Sequence, residues 1–171
     1  IAPCLAPGLG ATAPVLAQGA GDWTARQEAL FAGAAARGEA RTILVASDSP
    51  QLPADVIAAA FRQLARHDLV LGPVDDGGYY LIGMRGWHDV LRGIPMGTGT
   101  VRHDIVARAR ALGLSVGQVA PLFDIDEAED LGRLRALLAE LGLLDGAGAP
   151  APNPLTIPAD RSAVLPVPTG D

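Results

Sequence analysis

Carboxylates that follow short apolar runs are the residues of this sequence best placed to do chemistry. The first is Asp48, in Val45-Ala46-Ser47-Asp48-Ser49-Pro50. An acid just past a buried strand stands at the ligand edge of a sheet. There it can hold Mg2+ or Mn2+, which neutralises a diphosphate leaving group. The same residues also suit an Asp-Ser-Pro turn in which Asp48 serves only the backbone. Spacing does not decide between the two.

The second group is Asp124-Ile125-Asp126-Glu127-Ala128-Glu129-Asp130. Asp126 and Glu129 have the spacing of a capping box, with Asp in place of Ser or Thr, so Asp126 reads first as a helix cap and only second as a ligand. Asp124 has no such duty and is the better metal contact. Alternation along an extended segment would put Asp124 and Asp126 on one side, both facing one ion. An EF-hand is excluded, because Ala128 and Glu129 stand where an oxygen ligand and a glycine are required. The third group is Asp75-Asp76-Gly77-Gly78-Tyr79-Tyr80. Asp-Gly suits a tight hairpin, while paired glycines also let the backbone approach a ligand beside a carboxylate. Both readings can hold together.

Other signals are absent. All 13 basic residues are Arg, which removes a P-loop lysine, a Schiff-base lysine and the lysine of phosphatase-type Asp-x-Asp sites. No Gly-x-Ser-x-Gly elbow is present. Gly8-Leu9-Gly10-Ala11-Thr12-Ala13 lies between Pro7 and Pro14, a poor context for a dinucleotide loop. His67, His88 and His103 lack metal-site spacing and read as surface residues.

Alternating strands and helices must position these acids. Residues 41–47 read as a buried strand. Pro53 then suits the first turn of a helix with Leu52, Val56, Ile57, Ala60, Phe61 and Leu64 on one face. Strands follow at Leu69–Leu71 and Tyr79–Ile82. Thr98 or Thr100 can cap a helix carrying Val101, Ile105, Val106, Ala109 and Leu112, ended by Gly113. Leu114–Val119 reads as another strand, and a last helix starts near Asp126. Such alternation implies βαβ units and a mainly parallel sheet, with ligands bound beyond the strands' carboxyl ends. A short strand is expected near Val15-Leu16-Ala17. Residues 144–171, rich in Pro, Ala and Gly, read as a disordered tail or strap.

The length of 171 residues suits one domain, and 49% hydrophobic residues with 4% aromatics implies a core of Ala, Leu, Val and Ile. A net charge of −6 with interspersed signs disfavours nucleic acid. No apolar run nears the roughly 20 residues of a membrane span. The lone Cys4 permits neither an internal disulfide nor a cysteine zinc site. With no signal-peptide pattern, a cytoplasmic location is expected.

Together, several segments resemble a bacterial family of predicted glycosyltransferases called DUF2064, related to nucleotidyltransferases of cofactor biosynthesis. They are Gln18-Gly19-Ala20-Gly21-Asp22 with Arg26, Ser47-Asp48-Ser49-Pro50-Gln51-Leu52-Pro53, and Leu71 through Gly83 around Asp75-Asp76-Gly77-Gly78-Tyr79-Tyr80. Ile94-Pro95-Met96-Gly97-Thr98 and Phe123-Asp124-Ile125-Asp126 through Leu131 follow in order. The likeness spans roughly residues 15–140. It implies a three-layer α/β fold of the glycosyltransferase-A type over residues 1–143, with a mainly parallel sheet. The first βα unit and its basic, glycine-containing phosphate loop are unmatched, and Met96 stands where the family tends to have Trp.

By this resemblance Asp48 is the metal-binding acid, with Asp124 or Asp126 as partner, for Mg2+ or Mn2+. Gln18, Asp22 and Arg26 would line the nucleotide or sugar side. Gly77, Gly78 and Tyr79 would lie beneath the transferred group or acceptor, with Thr98 also in contact with the ligand. Asp75 and Asp76 are the candidate general bases. The implied activity is metal-dependent glycosyl transfer from a nucleotide-sugar to a small acceptor, with no nucleic acid or membrane as partner. Two alternatives are nucleotidyl transfer that releases pyrophosphate, and a catalytically silent domain that binds a partner.

Overall fold

A computed structural model describes residues 17–125 and 127–140. Cys4, the Gly8–Ala13 segment, most of the expected strand near Val15-Leu16-Ala17, Asp126 and the 144–171 tail lie outside the described residues. The chain divides into two compact units, Ile1–Asp124 and Ile125–Asp171.

The first unit runs α1 (Trp23–Ala36), β1 (Arg41–Val45), α2 (Ala54–Gln63), β2 (Leu69–Pro73), β3 (Tyr79–Arg85), α3 (Val101–Ala111) and β4 (Val116–Gln118). The helix α1 is an addition to the sequence reading. Its Ala-rich segment opens at Asp22, whose side chain accepts a hydrogen bond from the Ala25 N–H, and it buries Gln27, Phe31 and Ala34 at one-turn intervals.

The strand order is β1-β3-β2-β4. Here the expectation of a mainly parallel sheet needs correcting. β3 pairs antiparallel with both β1 and β2, and only β2 and β4 pair in parallel. The cause is the Asp75–Gly78 reversal, which folds β3 straight back beside β2 and so places it between β2 and β1. β1, β2 and β4 still run in one direction. Their carboxyl ends and the start of β3 therefore share one edge of the sheet.

Helices cover both faces of this sheet. Phe31 of α1 and Val101, Ile105 and Ala109 of α3 pack with Leu69, Leu71, Ile82 and Met84. On the other face Ala60 and Leu64 of α2 pack with Val70, Leu81 and Tyr80. Full burial of each large aliphatic side chain contributes roughly 2 kcal/mol. Tyr80 fixes the hairpin. Its ring lies over Gly72, where an added Cβ would sit 2.5 Å from ring carbon Cζ, and its hydroxyl donates to the Ala120 carbonyl at 2.6 Å.

Several local expectations also change. Pro53 is the N-cap of α2 and not part of its first turn. Thr100 is the N-cap of α3, but its hydroxyl donates to Asp104 at 3.0 Å and makes no backbone cap. Phe61 and Leu112, read as buried, are exposed. His67 and His88 are half-buried, and only His103 is a solvated surface residue. In the second unit α4 spans Asp130–Glu140, so its first turn starts later than the Asp126–Glu129 box would place it. The local bond there runs from the Glu127 N–H to the Asp130 carboxylate at 3.0 Å.

Candidate functional site

The shared strand edge gathers the loops that carry the sequence's acids. After β1 the chain keeps one further ladder bond, from Ala46 N–H to Tyr80 O at 2.8 Å, and then turns away. Leu52 N–H donates to Ser49 O at 3.1 Å, so backbone groups close this turn. The Asp48 carboxylate is exposed and accepts no hydrogen bond from the described residues, so it does not serve the turn. Gln51 is buried, and its side-chain amide donates to the carbonyl of Phe123. That bond ties the loop bearing Asp48 to the segment bearing Asp124.

The hairpin loop lies between them. Gly78 N–H donates to the Asp76 carboxylate at 2.7 Å, which holds that side chain over the turn. Gly77 has φ of +94°, and an added Cβ would lie 2.0 Å from the Gly99 carbonyl oxygen. Its own carbonyl accepts from Arg102 N–H at 3.2 Å. A side chain at Gly77 would thus push the hairpin off the start of α3.

These loops and the first turns of α1 enclose a cavity of about 420 Å3. Asp48, Asp76 and Asp124 all line it, as do Gln18, Gly78, Tyr79 and Thr98. Asp75, Gly77, Asp22 and Arg26 do not. Asp22 is occupied as the cap of α1, and Gly77 supports the hairpin from behind. Arg26, whose guanidinium reaches Gln18 at 3.4 Å, lines a second cavity of about 270 Å3. The two cavities share Gln18, Trp23, Gln27 and Leu44. Asp126, the remaining expected ligand, lies outside the described residues.

Two cavity residues went unnoticed in the sequence. Trp23, 53% exposed, lines both cavities from the first turn of α1. Gln27 is only 3% exposed and accepts a hydrogen bond from the Tyr79 hydroxyl at 2.9 Å. Burial pushes the Tyr79 phenol above its ordinary value, so it remains a neutral donor at pH 7. Gln27 had a signal, a polar residue in the one-turn stripe of Phe31 and Ala34, but only for a reader who had placed the helix.

Among the described residues no three His, Cys, Asp or Glu side chains form a ligand set. The donors that do line the cavity are carboxylates, which suit a hard divalent cation. Mg2+ is commonly held by one or two carboxylates, with water and phosphate oxygens completing its shell. Asp48 and Asp124 fit that requirement.

A family model of bacterial proteins described as "Uncharacterized protein conserved in bacteria (DUF2064)" matches residues 3–98, more than half of the chain. The fold is similar to that of a "putative nucleotide-diphospho-sugar transferase" from Desulfovibrio desulfuricans G20, with a TM-score of 0.67 at 33% identity. This match covers 71% of the chain and 54% of the solved structure, so the chain spans about half of that protein's length. The mixed sheet with helices on both faces is thus the fold of a nucleotide-diphospho-sugar transferase. No curated protein matches.

Proposed function

The chain belongs to the DUF2064 family, and from that premise we propose that it transfers a sugar from a nucleotide-diphospho-sugar to a small acceptor. One observation carries the reading: Asp48, Asp76 and Asp124 come from three different loops to one cavity beyond the strand ends. The likeness to the Desulfovibrio protein supports it. A cavity of about 420 Å3 also lies within the size range usual for small-molecule sites, about 300–1,000 Å3.

In this reading Asp48 and Asp124 would hold Mg2+ or Mn2+. The ion, when bound, supplies positive charge that stabilises a departing diphosphate. Asp48 suits this role because none of its oxygens is committed to the described residues. Asp76 is the better placed of the two candidate bases, since it lines the cavity and Asp75 does not. Its carboxylate, steadied by the Gly78 N–H, would accept a proton from an acceptor hydroxyl. Gly78 lets the ligand approach the hairpin backbone, and Thr98 offers a hydroxyl at the opening of α3.

The test is thermal unfolding against a panel of nucleotides and nucleotide-sugars, with and without Mn2+ or Mg2+. A ligand at one hundred times its Kd stabilises the folded state by about 2.7 kcal/mol. The expected result is a metal-dependent rise in Tm with a nucleotide-sugar, lost in Asp48→Ala, whose own Tm stays near that of the parent. A flat response from well-folded protein would overturn the proposal. Release of pyrophosphate from a nucleoside triphosphate would replace it with nucleotidyl transfer.

A further inference from the structure

α1 buries a stripe of Gln27, Phe31 and Ala34, and the first of these is out of place. An apolar residue would pack there at no cost in unpaired polar groups, whereas a primary amide must find partners for both its halves. The acceptor half has one. Tyr79 Oη donates to Gln27 Oε1 at 2.9 Å, and the phenol is itself seated against Met96 Sδ at 3.8 Å. The donor half has none, since no described residue accepts a hydrogen bond from Nε2. Yet Gln27 lines the 420 Å3 cavity at its junction with the second, 270 Å3 cavity. The same cavity is lined by the acids Asp48, Asp76 and Asp124.

We propose that Gln27 is a specificity-determining residue. Held in one orientation by Tyr79, it donates its free amide N–H to an uncharged oxygen of the bound ligand, a hydroxyl or a carbonyl. This rests on the transferase reading of the cavity and adds to it a buried, oriented neutral donor that distinguishes one ligand from another. The acids select for a cation and, through it, for phosphate, and every nucleotide-sugar carries phosphate. An amide fixed in orientation selects by the position of an oxygen, and a site built this way rejects analogues that lack the oxygen. Tyr79 acts through Gln27 and is a positioning residue.

The oxygen belongs either to the sugar or to the nucleoside, and paired ligands separate these. Binding would be measured by calorimetry in Mn2+ for UDP-, GDP- and dTDP-hexoses and for the matching nucleoside diphosphates. The proteins are the parent, Gln27→Glu, Gln27→Met and Tyr79→Phe. Gln27→Glu keeps the shape and the Tyr79 bond but removes the donor; Gln27→Met removes both polar halves and guards against an effect of the new charge.

Both Gln27 variants should lose roughly 10-fold or more in affinity for the preferred ligand, the range of one buried neutral hydrogen bond. Tyr79→Phe should lose less. If the oxygen is on the sugar, the nucleoside diphosphate should bind all four proteins alike; if on the nucleoside, the loss should appear with the diphosphate too. Unchanged affinity in folded Gln27→Glu and Gln27→Met would overturn this inference and leave the transferase reading standing. Failure of the parent to bind any nucleotide would overturn both.

Discussion

At the scale of single residues, two glycines show how a ligand-edge loop is specified by what it leaves out. Gly77 combines a left-handed φ of +94° with a carbonyl only 2.0 Å from where a Cβ would stand. The obstacle is backbone, so it cannot turn aside as a side chain would. Gly77→Ala should therefore destabilise the protein by about 2–4 kcal/mol, a fall in Tm of roughly 5–15 °C, with thermal unfolding as the check. Gly86, with φ of +75° and no atom within 4 Å of its missing Cβ, should lose less when changed to Ala. At Gly78, on the cavity side, the nearest atoms to an added Cβ belong to the Asp76 and Val74 side chains and not to backbone, so its substitution should disturb the cavity wall more than the fold. The two neighbouring glycines thus do different work, Gly77 for the hairpin and Gly78 for the cavity wall.

At the scale of elements, the parallel pair β2–β4 is held at its start by a carboxylate. Asp68, just before β2, accepts hydrogen bonds from Ser115 N–H at 2.9 Å and Ser115 Oγ at 2.6 Å, and pairs with Arg85 at the end of β3. The Ser115 hydroxyl, then Arg85 and the Ser115 N–H, hold its carboxyl well below the usual carboxylate range. A carboxyl depressed by folding contributes stability at any pH above its unfolded value, near 4. That contribution is lost progressively as pH falls below about 4 towards the depressed folded value. Asp68→Asn should destabilise the protein at pH 7 by about 1–2 kcal/mol, since the side chain is only partly shielded from solvent. Between about pH 4 and pH 2 the variant should lose less further stability than the parent, as measured by denaturant unfolding across that range. No such network holds the other edge, where β1 is paired on the β3 side alone among the described residues.

At the scale of the whole molecule, an excess of acid is spread over the chain while the cavity gathers three carboxylates in one place. A net charge of −6 gives a pI near 4.9, so solubility should pass through a minimum near pH 4.9, measurable by turbidity at low salt. Mobility-shift assays at about 0.15 M salt should detect no complex with duplex DNA, because no excess of cations is available to displace counterions. Among the described residues no helix is long and apolar enough to cross a membrane.

Much of this was legible from residues alone. Periodicity and turn chemistry located β1, α2, β2, β3 and α3, although β1 is a half-buried edge strand over Arg41–Val45 and not the buried run expected over residues 41–47. Hairpin formation at Asp75–Gly78 was likewise local, written in the Asp-Gly-Gly run. The order of the strands was not. β3 could have followed β2 in a hairpin at any sheet edge, and only packing on both faces places it between β2 and β1. α1 is hard to read from sequence because an Ala-dominated segment has almost no amphipathic contrast; it becomes a packed helix only when Phe31 finds the sheet.

The candidate site divides in the same way. That Asp48, Asp76 and Asp124 are acids placed after apolar runs could be read from the sequence alone. Their meeting in one cavity depended on the reversed strand, on Gln51 reaching Phe123, and on Tyr80 reaching Ala120. Those contacts join residues 40 or more positions apart, and no local pattern encodes a distance of that kind.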